Sequence, residues 1–179
     1  MDGARFANAL VTLNCTAAEM TWKRGIDAVS FGCSKNGLMS AEAVVFFDPS
    51  FAWEFELRRK RAGHLFSKHR YLSAQVKGYL ENDLWLDLAR RANENAIYLG
   101  DQLRALRHVE FDYPQEANIM FVQFPRKYHQ RAIDAGATYH FYGKSLHESG
   151  PEEEMLHARL VCDWSLAKED IDRFVSLIS

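Results

Sequence analysis

A lysine directly after a predicted buried strand is the first residue of this sequence that could do covalent chemistry. Residues 30–37 read SFGCSKNG, and the small residues around Lys35 leave room for a bulky planar group at its amine. Schiff-base chemistry needs a lysine that loses its proton easily, and desolvation favours the neutral, nucleophilic amine. An inert, solvent-exposed lysine is the alternative, and this segment alone does not decide between the two.

An aspartate near the start of the chain makes the covalent alternative more specific. Asp2 lies at the end of what reads as a very short strand, before a tight turn. Enzymes that use pyridoxal 5′-phosphate (PLP) pair a carboxylate with the pyridine nitrogen, which stays protonated and makes the ring an electron sink. The alternative role for Asp2 is an ordinary helix N-cap. The two segments together favour a PLP site more than either does alone.

The elements expected around these residues alternate between strands and helices. Helical spacing of apolar residues predicts a helix over residues 5–13, and Thr16 with Glu19 forms a capping box that opens a short second helix through Trp22. Buried strands are expected at residues 26–32 and 42–47. The sequence DPS at residues 48–50 ends the second strand and starts a helix.

The rest of the chain divides into a helical stretch and a small α/β region. Residues 51–106 lack proline and predict two helices that break near residues 68–73, the second long enough to link two lobes. Strands are then predicted at residues 109–113, 118–124, 138–142 and 157–164, helices at 127–135 and 168–178, and a solvated loop at 148–154. The pattern predicts an α/β fold.

Composition and charge exclude several classes of protein. The net charge is −2, which gives no global reason to bind nucleic acid or an anionic membrane. No segment approaches the roughly 18 consecutive apolar residues of a membrane-spanning helix, and no secretory signal is visible. The three cysteines are widely spaced and form no CxxC pair, which predicts reduced, mostly buried thiols in a cytoplasmic protein and no metal site.

A cluster of basic residues is the main rival feature. Residues 58–61 read RRKR, and Lys68 and Arg70 follow, with His64 and His69 interleaved. A nucleic-acid surface would need a stripe of positive charge, but four consecutive basic residues point all around a helix axis. A solvated helix that contacts another subunit, and a contact from Lys68 to a cofactor phosphate across a dimer, remain as alternatives.

Several segments together resemble a known enzyme family. DGARFANA at residues 2–9, SFGCSKNGL at 30–38, AEAVVFFD at 41–48, RRKRAG at 58–63 and ARLVCDW at 158–164 are similar to motifs of the threonine aldolases, which are fold-type I PLP enzymes. The low-specificity branch is the most similar, and the resemblance covers essentially the whole chain. It implies that residues 1–70 are the end of the PLP-binding large domain, 71–106 a linking helix, and 107–179 a small C-terminal α/β domain.

The resemblance also implies roles for individual residues. Lys35 would hold the cofactor covalently and Asp2 would pair with the pyridine nitrogen, while Lys68 is a candidate for the phosphate. Arg5 and Arg159 would hold the substrate carboxylate, for which a planar guanidinium is suited by its bidentate geometry. A rim arginine that pairs with the glutamates at residues 152–154 is the alternative for Arg159.

The expected reaction is retro-aldol cleavage of L-threonine or a related β-hydroxy-α-amino acid to glycine and an aldehyde. The intact enzyme would be a cytoplasmic homo-oligomer, a dimer or tetramer, with a small amino acid as its substrate. Members of the family carry a further N-terminal half with the phosphate cup and a ring-stacking histidine. We therefore expect these 179 residues alone to bind PLP weakly and to lack aldolase turnover. A β-eliminating or desulfurase-type PLP lyase, a non-catalytic interaction module and a nucleic-acid binder are the alternatives.

Overall fold

The computed structural model describes residues 1–179, which fall into two units. The first unit is Met1–Ala89 and the second is Arg90–Ser179. Each unit contains its own sheet, so the α/β class predicted from the sequence is confirmed.

The first unit is built on a three-stranded sheet in the order β1-β2-β3. Strand β1 (Asp2–Gly3) runs parallel to β2 (Ala28–Gly32), and β3 (Glu42–Phe46) is antiparallel to β2. Helices α1 (Phe6–Leu13) and α2 (Ala17–Met20) form the crossover between the two parallel strands. The predicted capping box of α2 is present, since the Thr16 side chain accepts from the Glu19 N–H and the Glu19 carboxylate accepts from Thr16.

Two glycines let β1 and β2 lie close together. A Cβ on Gly3 would stand 2.6 Å from the Ser30 carbonyl oxygen, and a Cβ on Gly32 would stand 2.7 Å from Cα of Ala4. Both neighbours are backbone atoms that cannot move aside without moving a strand or a turn. The residues that follow β1 and β2 are therefore held beside each other at one edge of the sheet.

Aromatic side chains fill the core of the first unit. Phe31 on β2 makes an edge contact with Phe6 on α1 at 5.6 Å and another with Trp85 at 5.7 Å, measured between ring centroids. Tyr79 is also buried there, and burial raises the pKa of its phenol to about 12, so it is neutral at physiological pH. Offset and edge-on ring pairs of this kind add stabilisation beyond the buried area itself.

Three helices, not two, occupy the stretch after β3. They are α3 (Ala52–Arg61), α4 (Arg70–Leu80) and α5 (Leu84–Arg104). The predicted break near residues 68–73 is present, but the single linking helix over residues 71–106 is wrong, because the backbone leaves helical geometry before α5. Asn82 and Asp83 there have φ of 53° and 56°. Asn and Asp tolerate this left-handed region better than other non-glycine residues.

The second unit has a four-stranded antiparallel sheet in the order β4-β5-β7-β6. Its strands are β4 (Glu110–Phe111), β5 (Ile119–Pro125), β6 (His140–Phe141) and β7 (Met155–Val161), and its helices are α6 (Arg126–Asp134) and α7 (Lys168–Ile178). One face of the sheet is buried under helices and forms the core; its buried strand residues are Met120, Val122, Phe124, Leu156, Ala158 and Leu160. All four predicted strands and both helices are confirmed; the ends of the strands and of α6 are shifted, and α7 has the predicted bounds.

Strand β7 begins and ends earlier than the predicted 157–164. It pairs with β5 from Met155 opposite Pro125 to Val161 opposite Ile119. Asp163 then ends the strand, because its carboxylate accepts the backbone N–H groups of Ser165 and Leu166 at 2.8 and 3.0 Å. An aspartate that bonds backbone groups two and three residues ahead forms a turn.

A neutral histidine lies in the core of the second unit. His129 is fully buried, with Nε2 3.0 Å from the Leu156 carbonyl and Nδ1 3.0 Å from the Tyr139 hydroxyl. Because a carbonyl can only accept, the hydrogen bonds assign the proton to Nε2 and leave Nδ1 as the acceptor. Burial, assisted by the charge of Arg126, lowers the pKa of His129 from 6.5 to about 4.

The buried histidine predicts a loss of stability in mild acid. The unfolded chain protonates this imidazole near pH 6.5 and the folded protein only near pH 4, so its contribution is complete above the higher value and is lost as the pH falls toward the lower one. The full loss is about 3 kcal/mol of unfolding free energy. Urea unfolding at pH 7, 5.5 and 4.5 should show this slope in the native protein and in His147→Gln, an exposed control. An equally steep slope in His129→Gln would assign the effect to other groups.

None of the helices combines the length and the apolar character that a membrane crossing requires.

Candidate active site

Lys35 lies in a short 3₁₀ turn that directly follows β2. The turn comprises Ser34–Asn36, and Gly37 closes it with φ of 119°, a conformation that suits glycine. Lys35 and Ser34 are exposed, whereas Cys33 and Asn36 are buried. We refer to residues 33–37 as the lysine turn.

A carboxylate from β3 binds the first half of the lysine turn. Glu42 Oε2 accepts the Cys33 N–H at 3.1 Å, and Oε1 accepts the Ser34 N–H at 3.2 Å and the Ser34 hydroxyl at 2.5 Å. One side chain therefore takes three donors from two consecutive residues. Hydrogen bonds to a charged acceptor are stronger than those between neutral groups.

The second half of the lysine turn is anchored by a buried amide. Asn36 Nδ2 donates to the Tyr79 hydroxyl at 2.6 Å and to the Trp85 carbonyl at 2.8 Å. Both N–H bonds of the amide are thus used, and they tie the turn to α4 and to the start of α5. The residues on either side of Lys35 are fixed while its own side chain reaches solvent.

The thiol of Cys33, the first residue of the lysine turn, is unreactive. Cys33 is fully buried, and burial together with the charge of Glu42 raises the pKa of its thiol to about 11. A thiol with this pKa carries almost no thiolate at neutral pH, and thiolate is the nucleophilic form. Cys162 is also buried and Cys15 half-buried, all three being free thiols, in agreement with the sequence.

Asp2 lies on the strand next to the one that leads into the lysine turn. It is the first residue of β1 and pairs with Ser30 of the parallel strand β2, and the lysine turn begins after β2 ends. Its Oδ1 accepts the Ala4 N–H at 3.0 Å. The N-cap position of α1 belongs to Arg5, so the alternative role of Asp2 as that cap is wrong.

Arg159 lies in β7 of the second unit, on the sheet face opposite the core. Its partners in register are Phe121 on β5 and His140 on β6. The Arg159 side chain is half-buried, and its Nε is buried without a hydrogen-bond partner. A guanidinium that keeps an unused donor has capacity for a further acceptor such as a carboxylate.

Two of the three glutamates that were the alternative partners of Arg159 pair with other residues. Glu154 accepts from Arg126 Nη2 at 2.5 Å and from Lys144 at 2.8 Å, and Glu153 pairs with Lys127. These ion pairs do not include Arg159. The loop at residues 148–154, predicted to be solvated, is tied to α6, because Arg126 Nη1 donates to the Glu148 carbonyl at 2.7 Å.

A hydrogen-bonded cluster adjoins Arg159 on the same sheet face. Asp112 accepts from Nδ1 of His157 at 3.1 Å and from the Tyr142 hydroxyl. The Tyr142 ring makes an edge contact with Phe121 at 5.5 Å. These contacts depend on the register of β5, β6 and β7.

The basic cluster lies on α3, in the turn after it and at the start of α4. Arg58 and Arg61 pair with Glu54 on the same helix, at 2.8 and 3.5 Å. Lys68 is exposed in the turn between α3 and α4.

Comparison with known proteins decides the family. Residues 1–125, which include β1, the lysine turn and Lys68, match the family model described as β-eliminating lyase. The chain belongs to the β-eliminating lyase family. The predicted resemblance is thereby confirmed, and the first unit of the chain carries the segment with Lys35.

Two curated relatives are low-specificity L-threonine aldolases from Pseudomonas. The one from a Pseudomonas sp. is 41% identical over 165 residues, which is 92% of this chain and 44% of the relative. The one from Pseudomonas aeruginosa is 39% identical over 175 residues, 97% of this chain and 46% of the relative. The chain thus spans about half the length of the curated relatives it matches.

Solved structures agree on the fold. A threonine aldolase from Leishmania major has a TM-score of 0.85 at 22% identity, covering 99% of this chain and 49% of that one. A second structure, of an Exiguobacterium protein, has a TM-score of 0.71 at 20% identity and covers 99% of this chain and 50% of its own. At these identities the likeness shows the fold alone.

Sequence reasoning missed the residues that support Lys35 and those beside Arg159. Glu42 is eight residues from Ser34, and Asn36 is 43 residues from Tyr79. The two partners of each contact lie in different elements of secondary structure, so the pattern within one helix or strand does not reveal them. The one available signal was Glu42 itself, a charged residue in an otherwise apolar segment.

Proposed function

We propose that this lyase is a PLP-dependent aldolase that cleaves L-threonine or a related β-hydroxy-α-amino acid to glycine and an aldehyde. The observation that carries the proposal is the placement of Asp2 and Lys35 on two adjacent parallel strands, with Asp2 in β1 and Lys35 in the turn that follows β2. Both Pseudomonas relatives are low-specificity L-threonine aldolases, which supports the same reaction.

The residues of the first unit fit a cofactor with an aldehyde and a ring nitrogen. Lys35 offers an exposed amine on a turn whose neighbours are fixed. Asp2 offers an exposed carboxylate whose Oδ1 is held by the Ala4 N–H. A bound PLP supplies an electron sink for the bond that breaks at the substrate Cα.

Each side chain then has a definite task. Lys35 Nζ anchors the cofactor, and the Asp2 carboxylate holds the proton at the ring nitrogen. Arg5 and Arg159 bind the substrate carboxylate and so orient the substrate, and a bidentate guanidinium fixes both position and rotation. Lys68 contributes to binding the cofactor phosphate. In an oligomer, the phosphate that it contacts could belong to the cofactor of another subunit.

The finer architecture belongs to the same proposal. Residues 1–70 would be the end of a fold-type I large domain, residues 71–106 the linking segment and residues 107–179 the small domain. The active form would be a cytoplasmic homo-oligomer, a dimer or tetramer. A small amino acid would be the partner, with neither nucleic acid nor membrane involved.

A β-elimination reaction is the second candidate, because the matching family model is described by that chemistry. The two reactions share a cofactor and differ in which substrate bond breaks. Aldol cleavage breaks the Cα–Cβ bond and releases glycine and an aldehyde. β-Elimination breaks the bond between Cβ and its substituent, which leaves as water when it is a hydroxyl, and the remaining enamine hydrolyses to ammonia and a keto acid.

A product assay separates the two candidates. We expect the PLP-loaded enzyme that contains this chain to release acetaldehyde and glycine in equal amounts from L-threonine. Serine, which also carries a β-hydroxyl, should yield no pyruvate above the rate without enzyme. Coupled alcohol dehydrogenase measures acetaldehyde and coupled lactate dehydrogenase measures pyruvate. Release of ammonia and a keto acid as the main products would contradict the aldolase proposal.

A further inference from the structure

We propose that Glu42 is a positioning residue that fixes the lysine turn so that Lys35 Nζ is presented to the cofactor. This inference rests on the proposed function of Lys35 and adds a role for a residue on a different strand. It is carried by the three hydrogen bonds that Glu42 accepts from the two residues preceding Lys35.

The geometry of β2 and β3 puts the carboxylate in place. Gly32, the last residue of β2, lies opposite Glu42, the first residue of β3, in the antiparallel register. The chain that leaves β2 therefore passes the Glu42 side chain immediately. Its two consecutive N–H groups, at Cys33 and Ser34, would otherwise lack partners, because the first N–H groups of a helical turn have no acceptor within it.

Glu42 accepts backbone N–H groups as a helix N-cap does, but it lies on a different element of the chain. In an ordinary N-cap the acceptor belongs to the residue before the helix. Here Cys33 occupies that position and makes no side-chain cap, and the acceptor comes from Glu42 instead. The conformation of the lysine turn thus depends on the pairing of β2 with β3.

The opposite end of the turn is held by Asn36, which is only 3% exposed. Its amide nitrogen donates to Tyr79 and to Trp85, so both neighbours of Lys35 are held. Its Oδ1 has no hydrogen-bond partner, and a buried acceptor left unpaired is destabilising.

The test substitutes Glu42 with glutamine, which keeps size and one acceptor but replaces the other by an N–H₂ donor. That donor would face the N–H of Cys33 or Ser34, so at least one of these bonds is lost. Glu19→Gln is the matched control. Glu19 caps α2 by the same chemistry, since its Oε2 accepts the Thr16 N–H at 2.9 Å and the Thr16 hydroxyl at 2.7 Å.

Two readouts apply to the PLP-free protein. Hydrogen exchange at the amides of Cys33 and Ser34 should be about 10-fold faster in Glu42→Gln and unchanged in Glu19→Gln. After addition of PLP, the rate of covalent attachment at Lys35, trapped with borohydride and located by peptide mass mapping, should fall by about 10-fold in Glu42→Gln alone, because a misplaced reacting group attaches slowly.

Ser34→Ala is a milder second variant that removes one hydroxyl donor to Glu42 and keeps the carboxylate. It should slow attachment less than Glu42→Gln does, and it serves as the test if Glu42→Gln does not fold. Unchanged attachment at Lys35 in the folded variants would overturn the positioning role of Glu42. Trapping of the native protein at a lysine other than Lys35 would instead overturn the proposed function on which this inference rests.

Discussion

Replacing Lys35 with alanine is expected to abolish covalent attachment of PLP to the enzyme and to lower aldolase turnover by about 10³-fold or more. Lys35 is the lysine of the turn between β2 and β3, and its neighbours are fixed by Glu42 and Asn36. No other lysine lies in that turn. The cofactor would then bind only through noncovalent contacts.

The measurement is borohydride reduction of the PLP-loaded protein followed by peptide mass mapping, with acetaldehyde release from L-threonine as the second readout. Lys23→Ala is the matched control, since Lys23 is an exposed lysine of the first unit, in the 3₁₀ turn Trp22–Arg24. We expect native labelling and turnover in that control. A reduced cofactor that remains attached to the Lys35→Ala protein would mean that another lysine is the anchor.

The parts of the fold that the sequence predicted are those that short-range patterns determine. The capping box of Thr16 and Glu19 spans three residues, and helix α7 has the predicted bounds Lys168–Ile178. Its apolar residues recur at helical spacing and its first turn carries Glu169 and Asp170, which the helix dipole favours. Both signals are complete within one turn or one helix.

The parts that it did not predict depend on pairing between distant segments or on an isolated backbone conformation. Helix α5 is separated from α4 by Asn82 and Asp83, and neither residue type excludes a helix, so the break has no strong local signal. The contact of Glu42 with the lysine turn requires the exact antiparallel register of β2 with β3. A shift of one residue would place Glu42 on the other face of the sheet.

In the candidate site, too, the residues that short-range patterns determine were predicted, and the contacts between distant segments were not. The types and order of residues indicated Asp2 and Lys35, because Asp2 lies in a very short predicted strand and Lys35 follows a buried one. The orientation of Arg159 was also accessible, because alternation along β7 puts it on the less buried face. Its neighbours Phe121 and His140 come from strands 38 and 19 residues away along the chain, and only the sheet register brings them together.

Arg159 gives the second large expected effect. Substitution by lysine keeps the positive charge but loses the planar, bidentate guanidinium, so kcat/KM for L-threonine should fall by roughly 10- to 100-fold, or about 1.4–2.8 kcal/mol. The structure agrees with this direction, since Glu153 and Glu154 pair with Arg126, Lys127 and Lys144 and the buried Nε of Arg159 has no hydrogen-bond partner. The loss should appear with every α-amino-acid substrate, because all of them carry the same carboxylate.

Chemical rescue distinguishes substrate binding from a structural effect. In Arg159→Ala, added guanidinium ion should restore part of the lost kcat/KM, because the small cation can occupy the vacated position and bind the carboxylate. Arg173→Ala, which removes an exposed arginine from α7, should keep native activity and show no rescue. Native kcat/KM in Arg159→Lys across several amino acids would place Arg159 outside the substrate site. A low activity that guanidinium leaves unchanged, together with a lowered urea midpoint, would indicate that the arginine supports the β5–β7–β6 face instead.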